Sequence, residues 1–239
     1  MKNLNIAVIG ASGGLGSAFV RVLADEPSNV VYALSRSGQV KTASNIQAIR
    51  IDYAEESSIV DAVAQIPVRP SLDWVIVATG ILHDENMMPE KALGNLSQES
   101  LAHNFLVNAI GPALVAKHFI PLLRRDRPAV FAAMSARVGS IGDNRLGGWY
   151  SYRASKAALN MLIKTASLEV SRRQKQTVVV GLHPGTVATA LSEPFQARVP
   201  EGKLFSADYS AGRLTAVIER LRPEDSGKIL AWDGSEIPW

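Results

Sequence analysis

The chain has 239 residues, 47% apolar and 20% charged, with 25 Lys and Arg against 22 Asp and Glu for a net charge of +3, and no cysteine. That composition is globular and excludes a disordered chain, while the absence of thiols excludes disulfide frameworks, thiolate metal sites and cysteine nucleophiles together. The basic residues are scattered, so they read as a solvated surface, and neither a nucleic-acid nor a membrane partner is expected.

No run approaches the ~20 apolar residues that a membrane helix needs. The apolar run near the start leads into glycines with no small-residue cleavage site, so it reads as a strand and not a signal peptide. A cytoplasmic protein is expected.

Residues 4–10, LNIAVIG, are a continuous apolar run ending in glycine, the pattern of a strand buried on both faces. GASGGLG follows, with Gly10, Gly14 and Gly16, and then a stretch of helical periodicity. Glycines let backbone approach a pyrophosphate, and a helix N-terminus offers unpaired N–H groups and a positive dipole. A tight βα turn is the bland alternative; the flanking strand and helix favour a nucleotide site. Residues 29–36, NVVYALSR, read as the second buried strand, whose end would meet an adenosine ribose. An acidic residue there suits a free 2′-OH; Ser35, Arg36 and Ser37 stand here, and a guanidinium suits a 2′-phosphate. NADP(H) is therefore expected over NAD(H), against the alternative of a solvated loop arginine. The connection to residue 46 is short and polar, with little or no helix expected. The third strand, 46–52, ends in Asp52, suited equally to accept a bond from an adenine amino group or to serve as a turn or N-cap residue. A helix over 55–66 is stopped by Pro67 and Pro70.

DWVIVATG, residues 73–80, is a fourth buried strand, followed by a polar loop in which His83 has no evident partner. Ser97 suits the N-cap of a long helix over 98–125, with Gly111 and Pro112 in its middle. A proline there frees a carbonyl and kinks the helix, and Asn108, polar within an apolar stretch, is placed to satisfy that kink. Residues 129–140 give the fifth strand and a small-residue loop carrying Ser135 and Ser140, at the strand end where ligands collect in doubly wound sheets.

In GGWYSYRASKAA, residues 147–158, Tyr152 and Lys156 are spaced i, i+4. On a helix both face one pocket. A tyrosine titrates near ~10, and a fixed cation lowers that value towards a workable general acid or base. Tyr150 meets Ala154 at the same spacing, so the pattern selects Tyr152; a surface helix carrying both groups by chance is the alternative. Residues 176–189 give the sixth strand and the turn His183-Pro184-Gly185-Thr186, with Thr189 placed to bond a carboxamide or phosphate, or to cap the next segment. Residues 191–205 are long enough for a lid, 206–221 read as a helix and 228–232 as a last strand. Strand alternates with helix without linker or repeat, so a single-domain α/β fold is expected: a doubly wound parallel sheet of about seven strands with helices on both faces.

Four of these features, in this order and position, make the chain resemble the short-chain dehydrogenase/reductase family over nearly its whole length. They are Gly10-x-x-x-Gly14-x-Gly16, Asn108 in the long helix, Tyr152-x-x-x-Lys156, and Pro184-Gly185 through Thr189. The short crossover after Arg36, the SARVGSI stretch and the DGSEIPW ending look most like its C-factor and sniffer-type carbonyl reductase branch. The resemblance implies a Rossmann fold, with one NAD(P)-binding domain over 1–239 and a substrate loop at about 190–205. NADP(H) would lie along the strand ends against Gly10, Ser12, Gly14, Leu15, Gly16, Ser35, Arg36, Asp52, Thr79, Gly80, Tyr152, Lys156, Pro184, Gly185, Val187 and Thr189. Tyr152 would be the proton donor or acceptor, Lys156 would lower its pKa and hold the nicotinamide ribose, and Asn108 would anchor a proton-relay water. The implied reaction moves a hydride to or from a small or medium carbonyl or alcohol. A homodimer or homotetramer is implied as well, and no metal.

Two departures from the family stand out. Its Asn-Ala-Gly after the fourth strand is Ala78-Thr79-Gly80 here, with Thr79 a substitute for the missing side chain. Its catalytic serine, three positions before a glycine, falls on Ala136 when counted from Gly139. A one-residue shift would bring in Ser135, the candidate chosen, with Ser140 second. These departures motivate a different reading: an NADP(H)-binding signalling or scaffold protein of the same fold with little turnover.

Overall fold

The apolar runs pair side by side in the computed structural model, which describes residues 2–40 and 43–239. The strands are β1 (Asn5–Ile9), β2 (Val30–Ser35), β3 (Ile46–Arg50), β4 (Trp74–Val77), β5 (Ala129–Met134), β6 (Thr177–His183), the two-residue β7 (Thr186–Val187) and β8 (Leu204–Phe205), and β9 (Ile229–Ala231). Seven of them form one parallel sheet in the order β3-β2-β1-β4-β5-β6-β9. The expected doubly wound sheet is therefore what the chain adopts. The order reverses between β1 and β4, and the ends of such strands form a ligand crevice at that point.

Alternation along each strand divides the core. In β1, Ala7 and Ile9 face one side with α2 (Glu56–Ala64), α4 (Gly111–Phe119) and α5 (Tyr150–Arg173). Ile6 and Val8 face the other, with α1 (Gly14–Ala24) and α6 (Ala207–Ile218). Side chains on a strand point alternately to opposite faces, so a strand covered on both must be apolar throughout. Burial at all five β1 positions meets that demand. Between β2 and β3 the described residues form no helix, as the short connection required.

The helix expected over 98–125 is instead broken into pieces. α3 (Gln98–Phe105) runs into a π turn at Leu106–Ile110, then α4, then a 3₁₀ turn at Ile120–Leu122. Pro112 has no N–H to direct at the Asn108 carbonyl, and the Gly111 N–H reaches back five residues to Leu106 O. The ladder widens there, as it does in π turns at functional positions. Ser97 caps α3 as expected, accepting the Ser100 N–H at 3.1 Å. Together the pieces, Gln98–Leu122, are by length and composition apolar enough to cross a membrane, more than the sequence reading allowed. Here Val115 and Phe119 are buried against the sheet.

Candidate active site

The glycine loop after β1 is compact because its glycines touch backbone or neighbouring side chains. A Cβ on Gly16 would collide with Gly10 O, and one on Gly14 would sit 2.5 Å from Thr189 Cγ2. The loop delivers the chain to α1, whose N-terminus has no side-chain cap and no acidic residue in its first turn. Unpaired N–H groups and positive dipole are thus left facing the crevice.

Two lobes open above the strand ends, sharing Gly13, Ala78, Thr79 and Gly80. One, of about 360 Å³, is lined by Gly10, Ser12, Ser35, Arg36 and Asp52. The other, of about 430 Å³, is lined by Gly14, Leu15, Tyr152, Lys156, Pro184, Gly185, Val187 and Thr189, with Ala136 and Ser135. Every expected cofactor residue except Gly16 lines one lobe or the other; Gly16 packs beneath the loop. Asp52 does both things considered for it: it lines the lobe, and its Oδ1 accepts the Ala54 N–H at 3.0 Å to close a turn. Thr79 shares a hydrogen bond of 2.8 Å with the Tyr53 hydroxyl, and its methyl group packs on Gly10. The Tyr53 ring in turn fills the space where a Cβ on Gly111 would be. Thr79 thereby ties the end of β4 to the segment after β3, and Tyr53 had no signal in the sequence.

α5 brings Tyr152 and Lys156 onto one face, with Lys156 Nζ 5.7 Å from the centroid of the Tyr152 ring. Lys156 is buried and donates to Met134 O at 2.8 Å. Gly139 permits this approach, since a Cβ there would lie 2.8 Å from Lys156 Cβ. The expected lowering of the phenol pKa is corrected. Burial pushes Tyr152 up to about 12 and Lys156 down to about 7. A desolvated pocket disfavours phenolate and ammonium alike. At neutral pH the pair is a protonated phenol beside an amine near its midpoint.

Asn108, fully buried, does not reach the lobes through its amide. Its Oδ1 accepts the Ile81 N–H and its Nδ2 donates to Ile81 O, both at 2.9 Å. It also donates to Ser155 Oγ at 3.1 Å, and that hydroxyl donates to Tyr152 O at 2.9 Å. The π turn thus clamps the backbone after Gly80 and braces the first turns of α5.

Ser135 is a second correction. It lines the lobe, but its hydroxyl donates to Asn160 Oδ1 at 2.5 Å, so its single proton is already committed within the protein. Ser140 is also buried; its Oγ accepts the Asp143 N–H at 3.1 Å and it does not line the lobe. Ala136, beside Ser135 in the lining of that lobe, has no hydroxyl.

Glu90 carried no signal in the sequence. Its buried carboxylate accepts the Ser151 N–H at 3.1 Å and the Ser151 hydroxyl, at the first turn of α5. His83, partnerless in the sequence, lies 3.0 Å from Ala190 O and edge-on to Phe195.

A model of the short chain dehydrogenase family matches residues 4–199. The protein C-signal of Myxococcus xanthus is 38% identical over 148 residues, which are 62% of this chain and 84% of the relative. An NADPH-bound carbonyl reductase from chicken fatty liver superposes with a TM-score of 0.85 at 25% identity, over 100% of this chain and 95% of the other. The carbonyl reductase Sniffer of D. melanogaster has the same fold, with a TM-score of 0.85 at 24% identity over the full length of both chains.

Proposed function

Since the chain belongs to the short-chain dehydrogenase family, we propose that it is an NADP(H)-dependent carbonyl reductase in which Tyr152 gives the proton. A nicotinamide cofactor, once bound, supplies the hydride. The residues fit such a group: glycines whose Cβ atoms would obstruct the loop, an uncapped α1 N-terminus, and Arg36 at the far lobe with no acidic residue beside it on β2. The observation that carries the reading is the buried Tyr152–Lys156 pair opening into the near lobe. The protonated phenol donates to the carbonyl oxygen as charge develops there. Protonated Lys156, held by Met134 O, stabilises the phenolate left behind, and a phenolate beside it favours that protonated form in turn. The Asn108 amide is spent on Ile81, so it is not free to hold the relay water that the resemblance implied. Residues 190–205 serve as the substrate loop, and the chain works as one domain.

The reading is tested by following NADPH and NADH oxidation in parallel over aldehydes, ketones and diketones. NADPH is expected to be preferred, with Arg36→Ala raising its KM about 10-fold or more and leaving that of NADH alone, as expected for one charge-assisted contact to a phosphate. Equal use of both cofactors by the wild type would remove the NADP(H) assignment.

A second reading, a binding protein with a signalling role, is favoured by Ala78, Ala136 and the likeness to C-signal. Tight NADPH binding without turnover on any carbonyl would select it.

A second copy of the chain is proposed against α4 and α5. There a groove of about 560 Å³ is lined by Pro112, Ala113, Ala116, Ile120, Leu162 and Ala166, and Ile110 and Met161 are 45% and 65% exposed. Covering them favours a homodimer or homotetramer. Sedimentation equilibrium showing only monomer at micromolar concentration would overturn this.

A further inference from the structure

The near lobe has an aromatic wall. Trp149 and Phe195 lie 4.9 Å apart between ring centroids, tilted by 55°, and Trp149 stands edge-on to Tyr152 at 6.3 Å. All three line the lobe, beside Leu82, Val138 and Leu191. Among the described residues, no carboxylate lines it, and of its two long cationic side chains Arg137 is paired with Asp143 and Lys156 donates to Met134 O.

Trp149 is held there against its own backbone preference. It has φ 52°, following Gly147 and Gly148 at 63° each. A bulky residue in the left-handed region is disfavoured and persists only where its surroundings over-determine it. Trp149 also occupies the N-cap position of α5 without a side-chain capping bond, where Ser, Thr, Asp or Asn would stabilise the helix. Glu90 supplies what the tryptophan does not. Its main-chain carbonyl accepts the Trp149 N–H at 2.5 Å, and its carboxylate takes the Ser151 N–H and hydroxyl. One residue of a distant loop thus grips the chain at the strained position and two residues beyond it. A tryptophan kept in an unfavourable conformation, where its side chain makes no bond to the helix, is there for the ring it puts into the cleft.

We infer that Trp149 and Phe195 form a preformed wall that binds a flat, uncharged ring or conjugated group carried on the substrate's carbonyl carbon, with Glu90 as the positioning residue for Trp149. This rests on the carbonyl-reduction reading above. Offset or edge-on ring contacts are worth about 0.5–1.5 kcal/mol beyond buried area, and a saturated ring of similar size obtains the area alone. Aryl carbonyl compounds are therefore favoured over their cyclohexyl counterparts by about two- to tenfold.

The test compares kcat/KM for benzaldehyde and cyclohexanecarboxaldehyde in the wild type, Phe195→Leu, Trp149→Asn and Glu90→Gln. Asn tolerates the left-handed backbone, and Phe195 is partly exposed, so these variants keep the fold. A second readout is the Kd of 2-naphthaldehyde with NADP⁺ present, where no hydride can pass, followed by tryptophan fluorescence. The aryl preference is expected to fall to near unity in Phe195→Leu and Trp149→Asn, with the naphthaldehyde Kd rising by a similar factor. Glu90→Gln is expected to lower the preference too, which loss of helix stability alone would not do. A wild type without aryl preference, or a Phe195→Leu variant that retains it, overturns the inference. Absence of turnover on every aldehyde counts against the carbonyl-reduction reading instead; the naphthaldehyde titration then decides, and a Kd unchanged in Phe195→Leu overturns the wall.

Discussion

Tyr152→Phe is expected to reduce carbonyl turnover by about 10²–10⁴-fold, the range a positioned general acid contributes, while NADPH still binds. The phenol is buried and burial alone moves its pKa, so phenylalanine fills the same space without stranding a hydrogen-bond partner, and stability should change by no more than about 1 kcal/mol. Lys156 keeps its bond to Met134 O, and the lobe keeps its shape. The variant therefore separates proton delivery from binding and folding. The check is single-turnover NADPH oxidation beside a fluorescence titration of NADPH. If activity stays within tenfold of the wild type, the proton comes from another group and the assignment of Tyr152 fails.

Ala136→Ser should move turnover the other way. One donor aimed at a developing oxyanion is worth about 10²–10³-fold, and Ser135 cannot act as that donor while its proton is given to Asn160. Ala136 lines the lobe on an extended backbone, φ −152° and ψ 148°, which any L-residue adopts. Restoring a hydroxyl there is expected to raise kcat by at least about tenfold. Ser135→Ala should mainly cost stability, about 1–3 kcal/mol, by leaving the Asn160 carbonyl buried without its donor. The reverse pattern would restore Ser135 to the chemistry: no gain from Ala136→Ser, and lost turnover in a stably folded Ser135→Ala. Steady-state kinetics with urea denaturation of both variants separates the two.

The sheet was legible because a strand covered on both faces must be apolar without interruption, and LNIAVIG, NVVYALSR and DWVIVATG state that directly. The Tyr152–Lys156 pair was legible because helical spacing is a local property. What escaped was either non-local or a matter of environment. Nothing near Glu90 announces a bond to a residue 61 positions away, and Ser135 reads as an available hydroxyl until Asn160 is folded against it. Spacing put a cation near the phenol, yet the direction of the pKa change depends on burial, which no spacing encodes. Pro112 signalled a kink in the long helix; that it would be absorbed as a widened π turn, with Asn108 inside, was settled by packing around Gly111 and Tyr53.

The short β7–β8 pairing has a consequence for how the site can change. Thr186 and Val187 pair in parallel with Leu204 and Phe205, and the Ala188 N–H closes on Phe205 O at 2.8 Å. The segment between them, which carries Phe195, is thus a noose tied at its neck. Loop-closure entropy grows only with the logarithm of length, so doubling such a noose costs about 0.6 kcal/mol. Opening it breaks what it touches, chiefly Phe195 on Trp149 and the His83 contact to Ala190, and leaves the seven-stranded sheet intact. Insertions between the tied ends can therefore reshape what the cleft admits at little expense to the fold, while Tyr152 and Lys156, anchored on α5, stay where they are.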